Sequence, residues 1–417
     1  MRLLNTEKGH LTMKKLLFFL ILICLLAQGF NSQIHAEEPE QIPIMAWLGV
    51  PPYKSTVERF EELREAGITH NFSFGQSIDQ LTEAMDAAHE AGVKMLIHSP
   101  ELNQETEKFV RHFMGHPALA GYYLADEPGR GAFPGLADLV RTIQAIDNEH
   151  FCYINLLPNH APIAALGTET YEEHVQQFIN EVPVKILSFD HYPITEDSEG
   201  NRILNDFWYE NLEIFSNESR KAEKPFWAFA LTVAHFTYPV PTPAELRLQV
   251  FSNLAYGAQG IQYFTYVTPT PYGQNDFHHA PLAYDTYQRT EVYDYIKEVN
   301  QEIASLSRVF LNSRVISVTH TGDRIPPGTN RLSELPAVIK EFETKGEGAV
   351  VSILKKESRY FLVIVNRDFQ NNMIVKLEGE PKLKRILKDG SEVDASTYIN
   401  TLPVGPGDVL IYAWEND

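Results

Sequence analysis

Two adjacent carboxylates, Asp126 and Glu127, terminate the apolar run Leu119-Ala-Gly-Tyr-Tyr-Leu-Ala125 and are followed at once by Pro128. The run has the texture of a buried strand. Proline has no N–H to donate, so it stops the ladder at the point where the acids emerge. Acids delivered to the carboxyl end of a parallel strand stand where barrel enzymes keep their chemistry. Neighbouring carboxylates whose environments pull their pKa values apart can divide the work of acid and base. A third acid, Asp190, ends another strand-like run, Ile186-Leu-Ser-Phe189, and precedes His191-Tyr192-Pro193.

These acids need a scaffold, and the chain repeats one pattern from Ile42 to about Tyr266. Strand-like runs occur at Ile44–Val50, Ile68–Phe74, Val93–His98, Leu119–Ala125, Phe151–Leu156, Lys185–Phe189, Phe226–Thr232 and Ile261–Tyr266. Amphipathic helices separate them. Ser55-Thr-Val-Glu58 and Ser77-Ile-Asp-Gln80 read as capping boxes, with Gly67 and Gly92 closing their helices. Thr242-Pro-Ala-Glu245 is a third box, with Pro243 in the first turn and Gly257 beyond the far end. Eight alternating units predict a (β/α)8 barrel. The first strand leads into Gly49-Val-Pro-Pro-Tyr53, which is no phosphate cradle and argues against a doubly wound dinucleotide fold.

Read in order, the strand ends offer Trp47; His70, Asn71 and Phe74; His98 and Ser99; Asp126 and Glu127; Asn155 and Asn159; Asp190, His191 and Tyr192; His235; and Tyr266 with Thr268. Amides, carboxylates and histidines hydrogen-bond hydroxyl groups, and flat aromatic faces meet sugar C–H groups. Without a cluster of cations, this mixture describes a pocket for a neutral carbohydrate. The histidines lack the spacing of a His-Glu-x-x-His helix, so no metal and no cofactor are expected. Tyr272, Phe277, His278 and His279, after the eighth strand, are expected to wall the pocket, whereas Trp208, Trp227 and Trp414 read as core.

Asp126-Glu127-Pro128 resembles the Asn-Glu-Pro that ends the fourth strand in the clan GH-A glycoside hydrolases, of β-galactosidase-like and β-glucanase-like type. The stretch Pro241-Thr-Pro-Ala-Glu-Leu-Arg through Asn253-Leu-Ala-Tyr-Gly-Ala-Gln-Gly-Ile-Gln-Tyr-Phe-Thr-Tyr266 is similar to the seventh helix and eighth strand of bacterial members. The resemblance implies a glycosidase with Glu127 as general acid/base. It departs from the clan twice. Asp126 replaces the Asn that contacts the sugar, and Phe226-Trp-Ala-Phe-Ala-Leu-Thr-Val-Ala-His235 ends without the nucleophilic Glu. Asp190 is the candidate second carboxylate, against a structural hydrogen-bonding role, and Asp126 is placed to keep Glu127 protonated. The catalytic set is therefore Glu127 and Asp190; Trp47, His70, Asn71, His98, Asp126, Asn155, His191, Tyr192, His235 and Tyr266 are substrate-binding candidates. Two alternatives stand beside hydrolysis: a carbohydrate-binding barrel with decayed machinery, and a lyase or dehydratase acting on uronate-containing oligosaccharides.

The 417-residue chain carries a net charge of −20, which excludes nucleic acid and anionic membranes as natural partners. Lys14-Lys15 and the apolar stretch Leu16–Ala27, ending in Ile34-His35-Ala36, read as a cleavable signal peptide of residues 1–36, with Met13 a candidate start. No later run is apolar enough to span a membrane, so the expected location is secreted or periplasmic. Cleavage removes Cys24 and leaves Cys152 alone, so no intrachain disulfide is expected. The barrel is assigned to residues 37–308. Alternating runs at Gly348–Leu354, Tyr360–Asn366, Met373–Leu377 and Val409–Trp414 then predict an all-β sandwich over 309–417.

Overall fold

The computed structural model describes residues 41–270, 276–397 and 401–415. The N-terminal targeting segment and Tyr272 lie outside the described residues. Eight parallel strands form the first sheet: β1 (Ile44–Trp47), β2 (His70–Phe72), β3 (Lys94–Ile97), β4 (Leu119–Asp126), β5 (Phe151–Asn155), β6 (Leu187–Phe189), β7 (Phe226–Leu231) and β8 (Gly260–Phe264). Their spatial order is β5-β4-β3-β2-β1-β8-β7-β6, and a parallel bridge between Leu156 and Phe189 closes the ring. The chain is a (β/α)8 barrel.

The main helices are α1 (Val57–Glu65), α2 (Ile78–Glu90), α3 (Thr106–Phe113), α4 (Phe133–Ile146), α5 (Tyr171–Glu181), α6 (Phe207–Ala222), α7 (Pro243–Ala255) and α8 (Glu291–Phe310). Two starts follow the sequence: Ser77 accepts from the Gln80 N–H, and Thr242 with Glu245 forms a reciprocal capping box. The first start is displaced by one residue. Thr56, not Ser55, caps α1, and the Ser55 hydroxyl instead donates to the Pro51 carbonyl.

Strand alternation divides the side chains into two layers. Inside the barrel lie Met45, Trp47, Phe72, Leu96, Tyr123, Tyr153, Trp227 and Phe229. Burying each such side chain stabilises the fold by roughly 1.5–3 kcal/mol. Outside, Tyr122, Leu124, Cys152 and Ile154 face the helices. Cys152 is fully buried, and burial pushes its thiol up to about 12.

Strand β4 breaks this alternation near its carboxyl end, as it also does at Ala120 near its start. Tyr123 pairs with Tyr153, but Ala125 pairs with Ile154 and Asp126 with Asn155, so Leu124 is an extra residue. A bulge of this kind re-aims the side chains beyond it. With strict alternation Asp126 would share the outward face of Tyr122 and Leu124. The extra residue turns it inward beside Asn155.

Beyond α8 the sheets are antiparallel. Six strands, β9 (Arg314–His320), β11 (Ala349–Lys356), β12 (Arg359–Asn366), β17 (Val409–Glu415), β14 (Lys384–Ile386) and β15 (Glu392–Asp394), form one sheet in that order. Three others, β10 (Ile339–Lys345), β13 (Met373–Gly379) and β16 (Thr401–Val404), form the second. Val350, Leu354, Phe361, Val363 and Val365 pack into the barrel's core, while Val351, Ile353, Leu362 and Ile364 pack against Val375, Leu377 and Val404. The larger sheet is therefore buried on both faces. A hydrogen bond of 2.7 Å between the Tyr256 hydroxyl and His320 Nε2 ties the two layers together.

Candidate active site

Glu127 follows the last residue of β4 and has a left-handed backbone, with φ of 48°. That conformation is uncommon outside glycine. Its N–H donates to the Asn155 carbonyl at 2.8 Å, so the turn starts while the chain is still tied to β5. Pro128 then ends the pairing. Asp126 and Glu127 are both open to solvent, although protein surrounds them. A ligand can therefore reach both carboxylates.

Asn155 organises the acids. Its side-chain Nδ2 donates to Asp126 Oδ1 at 3.1 Å and to Asp190 Oδ1 at 2.7 Å. Its Oδ1 accepts from the Ser188 hydroxyl at 2.9 Å. Ser188 in turn accepts from Gln262 Nε2 at 2.9 Å, and the Tyr153 hydroxyl donates to Gln262 Oε1. A flipped Asn155 amide would lose the Ser188 donor and turn its oxygen toward two carboxylates. The network from β5, β6 and β8 thus fixes which end of the amide faces the acids.

The electrostatics follow from crowding. Burial raises Asp190 well above the ordinary carboxylate range, and Glu127 and Asp126 raise it further. Glu127 is raised by burial and then by Asp126. Asp126 is raised by burial, offset by the Asn155 hydrogen bond. Three interacting carboxylates therefore resist full ionisation, and the cluster holds protons that isolated acids would release. Tyr192 and Tyr238 border it; burial and then Asp190 raise both hydroxyls.

The remaining residues singled out in the sequence separate into two groups. His98 lies at the mouth, with Nδ1 3.1 Å from the Tyr123 carbonyl and its ring against Phe74. His235 and Tyr192 flank Phe264, and Tyr192 stacks on it at 5.7 Å. Phe277 packs on His235 at 4.8 Å.

The others point elsewhere. His70 begins β2 rather than ending it, pairs with Lys94, and meets Trp227 at the amino-terminal end of the barrel. Burial and Lys94 lower it to about 4. The Asn71 amide is consumed by both backbone groups of Val50. Trp47 is packed among Phe72, Tyr123, Tyr153 and Phe229. His191 is buried against His160 and Asn211, and burial lowers it to about 3. Tyr266 faces Tyr293 and Glu62 in the helix layer. The reasons differ: Asn71, His191 and Tyr266 fall on the outer face by strand parity, His70 stands at the wrong end of its strand, and Trp47 faces inward but is walled in by other aromatics.

Glu245 is structural. Beyond its capping role it is 2% exposed and pairs with Arg202, which comes from a hairpin formed by Ile194–Glu196 and Arg202–Leu204. Sequence reasoning missed Ser188 and Gln262. Both are polar residues at inward positions of otherwise apolar strands, and that is the signal that marks them. It also missed Tyr238.

Residues 143–306, less than half of the chain, match the family model Glyco_hydro_42, described as beta-galactosidase. The barrel is similar in fold to those of several glycoside hydrolases. The structure of a catalytic mutant of a GH42 beta-galactosidase from G. stearothermophilus is similar over 90% of this chain and 98% of its own, at 9% identity and a TM-score of 0.61. The beta-galactosidase from Bacillus circulans sp. alkalophilus matches over 90% and 99%, at 9% identity and 0.58. A glycoside hydrolase family 5 structure from Bacteroides vulgatus matches over 90% and 89%, at 13% identity and 0.55. At these identities the likeness is one of fold. No curated protein matches the chain. The family match begins after β4, so Glu127 lies outside it. It does include β7, whose end, Thr232-Val-Ala-His235, carries no acid.

Proposed function

We propose that this chain hydrolyses O-glycosidic bonds in a neutral oligo- or polysaccharide, with Glu127 as general acid/base and Asp190 as the second carboxylate. The supporting observation is the Asn155 amide, which joins Asp190 to the residue beside Glu127 and so gathers acids from β4 and β6 at one mouth. Protonated Glu127 gives its proton to the leaving oxygen. Asp190, which burial and its acidic neighbours favour in the protonated form, acts once it has given up that proton, and then attacks the anomeric carbon or activates a water against it. Burial and crowding favour the protonated forms in the set, which acid catalysis requires. Tyr192, Tyr238, His98 and His235 line the approach. The matched family makes β-galactosides the first substrates to test. The apolar stretch behind Lys14-Lys15 supports secretion, with residues 1–36 removed.

The test is a screen of the mature protein against neutral oligo- and polysaccharides, with Glu127→Gln beside it and products read by mass. Saccharides gaining one water, and lost in the variant, support hydrolysis. Full activity in Glu127→Gln removes the assigned role. The end of β7, which has no acid, favours a second reading as a carbohydrate-binding barrel; that reading predicts binding with no product.

A further inference from the structure

Among the described residues, five aromatic side chains are exposed: Tyr53 (61%), Phe74 (46%), Phe207 (54%), Phe236 (61%) and Tyr284 (40%). Single exposed aromatics are ordinary. Their placement here is not. Tyr53 follows β1, Phe74 follows β2, Phe207 follows β6, Phe236 follows β7 and Tyr284 follows β8. All five therefore lie on the face where the strands end, and none on the sandwich or the opposite end of the barrel. In the ring these strands are consecutive neighbours, β2-β1-β8-β7-β6. The aromatics form an arc around one side of the mouth, and Asp190 on β6 and Glu127 after β4 stand where the arc gives way to carboxylates.

The arc is built rather than incidental. Phe236 holds a left-handed backbone, with φ of 50°, which is costly for a bulky residue. Its N–H donates to Asp276 Oδ1 at 2.8 Å. Its neighbours His235 and Tyr238 exchange two backbone hydrogen bonds, of 2.8 and 3.0 Å, and Ala234 is tied to His278 by two more of 3.0 Å. The turn is fixed from both sides while it presents a ring to water. Phe74 is likewise braced edge-on by His98 and Tyr123.

We infer that this arc is a stacking track for a neutral polysaccharide, so that the enzyme takes chains several sugars long across the mouth rather than one terminal sugar in a closed pocket. The inference rests on the glycosidase reading and names its substrate class. Aromatic rings meet the C–H faces of sugar rings, and successive platforms hold successive units. The net charge of −20 excludes polyanionic chains as the occupant.

The test separates binding from turnover. Mature Glu127→Gln protein is run in native gels containing barley β-glucan, xylan, galactan or galactomannan. At least one polymer is expected to retard it. Tyr53→Ala, Phe74→Ala and Phe236→Ala should each weaken the apparent affinity about threefold, and the triple variant at least ~10-fold. Ile316→Ala, an exposed apolar residue on the sandwich, is the control and should run as the parent. Circular dichroism checks the fold, and the single variants stand in if the triple fails to fold. Retardation that survives the substitutions overturns the track, and so does the absence of retardation by all four polymers. Failure of the hydrolase reading is read separately, as retardation that the aromatic variants abolish in a wild-type protein that releases no product.

Discussion

At the scale of the residue, function turns on how three carboxylates share protons. Replacing Glu127 by Gln keeps the shape and removes the proton; turnover of the cleaved substrate should fall at least ~100-fold. Asp126→Asn asks a finer question. It removes the negative charge that helps raise Glu127, so Glu127 should ionise at lower pH. The limb of the kcat/KM profile on which the acid is lost should shift toward acid. An unmoved limb would show that Asp126 does not tune Glu127. Asp190→Asn separates stability from activity. A carboxyl raised in the folded state binds more protons there than in the unfolded chain, so stability falls as pH rises from the unfolded pKa through the folded one. The variant should abolish turnover yet melt ~2 °C higher at pH 7, with the gap closing near pH 4. A lower melting point at pH 7 would contradict the crowding account.

At the scale of the element, the barrel was legible because each strand and helix carries its own local signals. Gly67 and Gly92 sit at φ of 79° and 74°, where the helix ends require them, and Thr242 with Glu245 forms the expected box. The site was less legible. Knowing that a residue lies near a strand end does not say which face it takes, and strand ends were uncertain by a residue or two. His70 at the start of β2, Asn71 turned to Val50, and Tyr266 turned to the helices are all consequences of that. Asp126 and Asn155 face inward, but for Asp126 this depends on a bulge with no signature in Tyr-Leu-Ala. Glu245 shows the opposite outcome, because its local role explained it fully. Its pairing with Arg202 fixes the hairpin after β6 against the start of α7. Glu245→Gln should destabilise the protein by roughly 2 kcal/mol in urea unfolding, because it removes the close ion pair and leaves Arg202 with only the longer contact to Glu196 at 3.7 Å and the Val240 carbonyl. Arg202→Met together with Glu245→Gln should recover part of that loss.

At the scale of the whole molecule, the sandwich and the barrel share one apolar core. Val350, Leu354, Phe361, Val363 and Val365 belong with the barrel helices, not with the sandwich interior. Gly257 shows how close the approach is: a Cβ there would lie 2.6 Å from Val315 Cγ2. A fragment ending before Arg314 would expose that face of the helices. It should be recovered aggregated or unfolded by circular dichroism, while the longer chain is soluble; a folded, soluble fragment would refute the shared core. The mouth depends on a smaller thing still. It is assembled by parity, and Leu124 is the residue that makes the count odd. Deleting it would remove no acid, no donor and no aromatic from the mouth. It would also restore a regular ladder, with Ala125 opposite Ile154 and Asp126 opposite Asn155, so Asp126 would stay on the inward face. The bulge, not the residue count alone, sets the face: the same sequence paired without it would turn Asp126 out of the cleft.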